Sequence, residues 1–327
     1  MSLTSGLSEY HASQRPGWQL LDDMARLRTR LTYPASGVRR MRGEIVRLVG
    51  RTRDVAISFP LVERPVVSVV IPVFNNWALT RRCLASLCLT APAALVEVLV
   101  VDDASTDGTR VGLEGIPGLR VLSNDANVGF TRAANRGARA ARGAFTFFLN
   151  NDTVMAPGCI EALLDTMSDA SVGAAGARLV YPSGRLQEVG AVIWNDGTGA
   201  QIGHGQSPLD FRFTCRRDVH YCSGAALMVR SDLLRALDYF DERFAPAYYE
   251  DTDLCFRLRA QGSRVVAEPA ATVVHWEGMT HGTESRRAVR GAYTKSHQRN
   301  NRVKFAEKWA AELSNHAAPV RGRRLPG

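Results

Sequence analysis

Four short polar clusters in this chain each stand directly behind an apolar run, and their side chains could bind a ligand or a metal. Residues 147–149 (Phe-Phe-Leu) stop at Asn150, Asn151 and Asp152, with Thr153 and Pro157 following. The run at 66–73 contains Pro72 and leads into Phe74, Asn75 and Asn76. The run at 95–101 gives way to Asp102 and Asp103, and the run at 119–122 to Asn124, Asp125, Ala126, Asn127, Val128 and Gly129. In an open parallel sheet, ligands bind just beyond the carboxyl ends of the strands, so four such tips on one edge amount to a polar cleft. A carboxylate there can hold a divalent cation against a phosphorylated substrate. Asn and Asp also supply turn and N-cap geometry, so the clusters alone leave a site and a set of turns equally open.

A denser acidic cluster, Glu250, Asp251 and Asp253, follows Tyr248 and Tyr249 where a helix begins. Acids at a helix start serve as caps and dipole partners, but a carboxylate can also take a proton from a substrate hydroxyl. No G-x-G-x-x-G follows the first apolar run and no G-x-x-x-x-G-K-[ST] occurs anywhere, which excludes a dinucleotide-type glycine loop and a P-loop. Nucleotide recognition would therefore use carboxylates on base and ribose and a metal on the phosphates.

The elements that must position these groups alternate. Apolar strand-like runs at 66–73, 95–101, 119–122 and 144–149 are separated by helical stretches at 78–89 and 132–141, which implies parallel βαβ units. The second half is less regular. It holds a helix at Cys159–Met167, a strand at 172–180, a Gly-rich stretch from Gly184 to Gly205, an apolar segment at 225–229, a helix at about 252–260, a strand at 265–267 and a final helix at 296–313. Upstream, helical spacing at 18–31 and 38–48 around Pro34 forms a preamble that Pro60 and Pro65 close. The expected organisation is a helical, basic extension (1–64), an α/β domain (65–313, with a nucleotide-sugar half at 65–153 and a catalytic, acceptor-binding half at 154–313) and a basic tail (314–327).

Composition sets the frame. The chain has 327 residues, 45% hydrophobic and 22% charged, enough for one large domain with appendages. No apolar run reaches the roughly 18 to 20 residues needed to span a bilayer, and residues 1–16 lack the apolar segment of a secretion signal. Six scattered cysteines without a close C-x-x-C pair read as reduced thiols in a cytoplasmic protein. The net charge of +9 favours anionic partners, and arginines crowd the N-terminal arm (Arg26, Arg28, Arg30, Arg39, Arg40, Arg42, Arg47, Arg51, Arg53) and the end (Arg321, Arg323, Arg324). That distribution suits peripheral docking on an anionic membrane surface. Nucleic acid is not expected, because aromatic residues are not interleaved with the basic ones.

In order along the chain, Val-Ser-Val-Val-Ile-Pro-Val-Phe-Asn-Asn (67–76), Val-Val-Asp-Asp-Ala-Ser-Thr-Asp-Gly-Thr (100–109), Asn-Val-Gly-Phe-x-x-Ala-x-Asn-x-Gly (127–137) and Phe-Leu-Asn-Asn-Asp-Thr (148–153) resemble glycosyltransferase family 2. Ser223-Gly224-Ala225, Phe240-Asp241-Glu242 and the 249–255 segment are similar to bacterial members that build surface polysaccharides. The resemblance covers about 66–310 and implies a GT-A fold, an α/β mixed sheet flanked by helices, in an inverting, sugar-nucleotide-dependent enzyme. It implies a nucleotide-sugar site with Pro72, Phe74 and Asn75 at the base, Asp103 hydrogen-bonding the base, Asp102 shaping the turn, and Asn127, Ser223 and Gly224 nearby. Asn150-Asn151-Asp152 falls at the family's D-x-D-like position, Asn151 facing the ribose or diphosphate and Asp152 binding Mn²⁺ or Mg²⁺. This chain has Asn at the first two places, so a single carboxylate needs further ligands; His275 aligns with a metal-binding histidine of some members, and imidazole suits Mn²⁺ better than Mg²⁺. Asp251 aligns with the catalytic base, oriented by Glu250, while Asp253 is structural. His281, Arg286, Arg287 and Lys295 would clamp the diphosphate; Trp276 would either stack on a sugar or belong to the core, and Trp194 with Gly197–Gly205 would either border the acceptor or simply form a flexible loop. Lys304, Phe305 and Trp309 form a helix docking face. The expected reaction moves a sugar from a UDP-, dTDP- or GDP-linked donor to a hydroxyl of a glycan or lipid-linked acceptor; the alternative is a catalytically silent sugar-nucleotide- or glycan-binding subunit.

Overall fold

The structure, a computed structural model, describes residues 35–277 and 287–319. The expected helix at 18–31, Arg26, Arg28, Arg30, His281, Arg286 and the closing arginines lie outside the described residues, as do the side chains of Arg287 and Lys295. A large mixed sheet runs in the order β10 (Arg217–Asp218), β12 (Arg264–His275), β6 (Val172–Val180), β11 (Ala226–Arg230), β4 (Phe145–Leu149), β1 (Val67–Val73), β2 (Val96–Asp102), β3 (Arg120–Ser123). Its first-half strands are β1 (Val67–Val73), β2 (Val96–Asp102), β3 (Arg120–Ser123) and β4 (Phe145–Leu149), all parallel. The helices between them are α2 (Trp77–Thr90), α3 (Thr109–Glu114) and α4 (Phe130–Ala140). Before β1 stands α1 (Ala35–Arg51), starting immediately after the Pro34 break.

β1, β2 and β4 are largely apolar because both faces are covered, while β3 at the sheet edge alternates half-buried and exposed residues. Val69, Ile71, Phe147 and Leu149 pack with Leu84 and Leu87 of α2 and with Ile160 and Leu163 of α5 (Cys159–Met167). The alternate residues Val70 and Phe148 pack with Ala134 and Ala138 of α4, and with Leu254 and Leu258 of α7 (Glu250–Ala260). Ile45 and Met41 bring α1 into that second layer.

The second half inserts reversed strands. After β5 (Thr153–Met155), β6 (Val172–Val180) and β7 (Leu186–Glu188), a small hairpin forms from β8 (Ala191–Ile193) and β9 (Gly199–Gln201). The short β10 (Arg217–Asp218) precedes β11 (Ala226–Arg230), which runs antiparallel between β4 and β6; α6 (Ser231–Ala236) follows it. β12 (Arg264–His275) continues past Pro269 through a register shift between Glu268 and Thr272, where the sequence pattern gave only a short strand at 265–267. The expected final helix is two: α8 (Arg287–Lys308) and α9 (Ala310–Leu313), broken at Trp309. All six cysteines are free, and among the described residues no helix is long and apolar enough to cross a membrane.

Candidate active site

The reversed β11 is what assembles the site. Because β11 pairs with β4 antiparallel, Ala226 lies opposite Leu149, and the Asn150 amide donates to the Ala225 carbonyl at 3.0 Å. The start of β11, Ser223-Gly224, therefore sits beside the carboxyl tip of β4, although seventy residues separate them in sequence.

The first-half tips use their polar atoms to hold one another. Asn75, left-handed at φ 57°, accepts from the Thr106 and Asp107 amides at 2.7 and 3.2 Å, and its own amide donates to the Ser105 hydroxyl. Asp102 accepts from the Ser105 amide at 3.0 Å. Asp103, almost fully buried, accepts from the Asn124 amide group at 2.6 Å, the Val128 amide at 3.0 Å and the Gly129 amide at 2.9 Å. Three of its roughly four acceptor positions are thus taken by the 124–129 loop. Gly129 adopts φ +85° with Pro246 against it, a place closed to a side chain. Asn127 is exposed and accepts from the same Gly129 amide. Pro72 is buried within β1, and Phe74 is half-buried at its tip.

At the β4 tip the three residues diverge. Asn151, expected to face the ribose or diphosphate, is 1% exposed and donates to the Thr80 hydroxyl of α2 at 2.9 Å. Its bond is a brace between tip and helix. Asp152 points the other way. His275, held opposite Thr153 by the β12–β5 pairing, brings Nε2 to 3.2 Å from Asp152 Oδ1, and the Trp276 amide fixes the Asp152 carbonyl at 3.0 Å. On its other nitrogen, His275 Nδ1 meets Gln187 Oε1 at 3.0 Å. Burial opposes protonation of this imidazole, but the hydrogen bond and charge of Asp152 outweigh it and raise its pKa. An oxygen and an imidazole nitrogen facing each other, with the far ring nitrogen hydrogen-bonded, are the donor set of half a cation shell. Among the described residues no group of three or more His, Cys, Asp or Glu side chains converges to complete it.

The acids of the second half lie close by. α7 begins at Glu250 rather than at 252, so Glu250 and Asp251 stand in its first turn. Asp251 is partly exposed; its Oδ2 accepts from the Gly224 amide at 2.8 Å and its Oδ1 from the Thr252 amide at 2.7 Å. A Cβ on Gly224 would stand 3.4 Å from Asp251 Cβ, so the missing side chain allows this close seat. Burial raises the Asp251 pKa against those bonds. Glu250 is buried, its Oε2 without a hydrogen-bond partner among the described residues, and burial followed by the Asp251 charge pushes its pKa well up. Asp253 is structural: it binds Arg257 and Lys308 and accepts from Trp309 Nε1 at 2.9 Å.

Glu188, which the sequence pattern hid, completes the group. It is buried at the end of β7, its Oε1 accepts from the Ser223 amide at 3.1 Å, and burial with the Asp251 charge raises its pKa to about 7. Adjacent amides, Ser223 and Gly224, are therefore held by two different carboxylates. Its signal lies in Leu186–Ile193, where Gln187 and Glu188 interrupt an otherwise apolar segment; the surrounding glycines made that segment look like a loop. Trp276 carries the Arg82 guanidinium 5.3 Å over its ring, while Trp194 is buried. Phe305 packs on Tyr249 and Phe256, the docking role expected for that helix face.

A mixed sheet layered between helices thus brings the strand tips of a parallel half-sheet and a carboxylate cluster to one polar edge. Residues 68–237 match Glycosyl transferase family 2. The N-acetylglucosaminyl-diphospho-decaprenol L-rhamnosyltransferase of Mycobacterium tuberculosis is 30% identical over 282 residues, covering 76% of this chain and 88% of that relative. The O-antigen biosynthesis protein RfbC of Myxococcus xanthus is 30% identical over 241 residues, 71% of this chain, which spans 18% of RfbC's length. The crystal structure of GalNAc-T7 with UDP, GalNAc and Mn²⁺ shares the fold at a TM-score of 0.55 and 16% identity, over 68% of this chain and 46% of that one. The chain belongs to glycosyltransferase family 2 and has the GT-A fold; it spans less than a third of the length of two of the curated relatives it matches.

Proposed function

We propose that the enzyme transfers a sugar, with inversion, from a UDP-, dTDP- or GDP-linked donor to a hydroxyl of a glycan or lipid-linked acceptor in cell-surface polysaccharide synthesis. The observation that carries this reading is Asp251: a partly exposed carboxylate seated on the Gly224 amide, beside the β4 tip, with its pKa raised. Inversion is a direct displacement and needs one base. Asp251 takes the acceptor hydroxyl's proton, the acceptor oxygen bonds to the anomeric carbon, and the bond to the diphosphate oxygen breaks. Glu250, buried beside it in the first turn of α7, orients it, and burial with the Asp251 charge inclines Glu250 itself to hold a proton.

Residues 65–153 form the donor half in this reading, and 154–313 the catalytic half. Phe74 and Pro72 border the base; Asn75, Asp102 and Asp103 shape its pocket through the loops they hold; Asn127, Ser223 and Gly224 line the way to the sugar. Asp152 and His275 would hold a divalent cation, Mn²⁺ or Mg²⁺, together with the donor diphosphate, and that ion would supply charge neutralisation for the leaving group. The rhamnosyltransferase and O-antigen relatives support a polysaccharide precursor as acceptor. The outward arginines of α1 (Arg39, Arg40, Arg42, Arg47 and Arg51) support a cytoplasmic enzyme docked on an anionic membrane.

The test is a panel of UDP-, dTDP- and GDP-sugars with Mn²⁺ and a polyprenyl-diphosphate acceptor, scored for transfer and for the anomeric configuration of the product. One donor should yield product of inverted configuration. Donor binding without transfer or donor hydrolysis would favour the silent-binding alternative, and retained configuration would contradict the single-base mechanism.

A further inference from the structure

We propose that Gln187 is a positioning residue that holds the Nδ1–H and the ring orientation of His275, so that Nε2 is the nitrogen left to a cation shared with Asp152. The inference rests on the reading of Asp152 and His275 as cation ligands and adds a third residue that touches neither cation nor substrate.

Four observations carry it. First, an amide oxygen only accepts hydrogen bonds, so the 3.0 Å contact between Gln187 Oε1 and His275 Nδ1 places the proton on Nδ1. Nε2, 3.2 Å from Asp152 Oδ1, donates to that carboxylate when no cation is present, and with Nδ1 already committed to Gln187 it is the nitrogen that gives up its proton when a cation takes that place. Second, the contact is sheltered: Gln187 is 3% exposed and His275 5%, so water does not compete for Nδ1 on equal terms. Third, the backbone on both sides is fixed. His275 is paired with Thr153 in the sheet, and the Gln187 carbonyl meets His204 Nδ1 at 3.2 Å.

The fourth observation is the register of β7. Against β6, Val180 pairs with Leu186 and Leu179 with Glu188, leaving Gln187 as the extra residue of a β-bulge. Bulges re-aim side chains next to active sites. Here the two consecutive residues reach different parts of the site, Gln187 to His275 and Glu188 to the Ser223 amide. Metal-binding histidines as a rule donate their other ring N–H to a carbonyl or carboxylate, and loss of that partner typically costs 10- to 100-fold in metal affinity.

The experiment titrates the full chain with Mn²⁺ alone and counts free ion by electron paramagnetic resonance. It compares wild type with Gln187→Met, similar in length but without an acceptor, and with Gln187→Glu, which keeps an oxygen in place. Gln187→Met should weaken Mn²⁺ binding roughly 10- to 100-fold, and Gln187→Glu should stay within about threefold of wild type. A second, metal-free readout follows the ring N–H protons of His275 in ¹H–¹⁵N spectra at mildly acidic pH, where both ring nitrogens carry protons. Wild type and Gln187→Glu should show a slowly exchanging Nδ1–H, and Gln187→Met should lose it, with thermal unfolding confirming that each variant folds. Unchanged Mn²⁺ affinity or an unchanged Nδ1–H in Gln187→Met would overturn the proposal, as would equal losses in both variants. Failure of wild type itself to bind Mn²⁺ would remove the cation reading, while the Nδ1–H spectra would still decide the role of Gln187.

Discussion

Buried carboxylates stand at both ends of this sheet, and their surroundings are opposite. At the amino ends of β1 and β2, Glu97 accepts from the Ser68 hydroxyl at 2.6 Å and pairs with Arg120 and Arg142 at 2.5 and 2.7 Å. Burial works to raise its pKa, but the Ser68 and arginine bonds prevail and hold it below the usual carboxylate range. At the carboxyl end, Glu188, Glu250 and Asp251 are raised, and among the described residues none of them pairs with an arginine or lysine. Similar burial gives a locked structural charge at one end and avid proton acceptors at the other. The difference is whether cations come with the acid, which is why chemistry belongs to the end where ligands bind.

Removing the acceptor at the reactive end should have the largest effect. Asp251→Asn should lower kcat by roughly 10²- to 10⁴-fold, the usual contribution of a positioned base, with unfolding midpoint and far-UV spectrum close to wild type. The paired end should respond in stability instead. Glu97→Ala strands Arg120 and Arg142, and because both are partly solvated the cost should be about 2 kcal/mol in urea unfolding, with kcat of the folded fraction little changed. A large kcat loss in Glu97→Ala would erase the contrast.

How much of this was legible differs between the two halves for a physical reason. Apolar runs bounded by Asn and Asp marked β1, β2, β3 and β4 within a residue or two, because the central strands, buried on both faces, need little beyond local apolar sequence. The β4 tip at Asp152, the acids at 250–253 and His275 could be picked out from residue type and order. Their mutual geometry could not: Gly224 reaches Asp251 only because β11 reverses direction, and that is a property of the assembled sheet. The bond of Asn151 to Thr80 was hidden too, since its sequence neighbours say nothing of a residue seventy-one positions earlier. Gln187 and Glu188 escaped notice because a bulge erases the two-residue period that reveals a strand.

The pH dependence sharpens the comparison further. Glu188 carries a folded-state pKa of about 7 against an ordinary 4.5. Its contribution to stability is therefore fully present below pH 4.5 and is lost as pH rises through about 7, where folding must bury a charge. Glu188→Gln should flatten the decline of unfolding free energy between pH 5 and roughly pH 8. A decline as steep as wild type would mean that Glu188 is ionised at little cost, like Glu97. The smallest effect belongs to Gly224→Ala. The added Cβ meets Asp251 Cβ at 3.4 Å, so a displacement of a few tenths of an ångström should reduce kcat by roughly three- to tenfold, with donor KM nearly unchanged.

The most direct test of an uncompensated base at Asp251 is the pH profile of kcat/KM, which reports the essential groups of the free enzyme. Burial raises the pKa of this carboxylate, and the base must be deprotonated to act, so the rate should fall on acidification through a pKa clearly above the ordinary aspartate value of about 3.9. A profile that stays flat down to about pH 4 would contradict the assignment and place Asp251 with the paired, structural carboxylates instead.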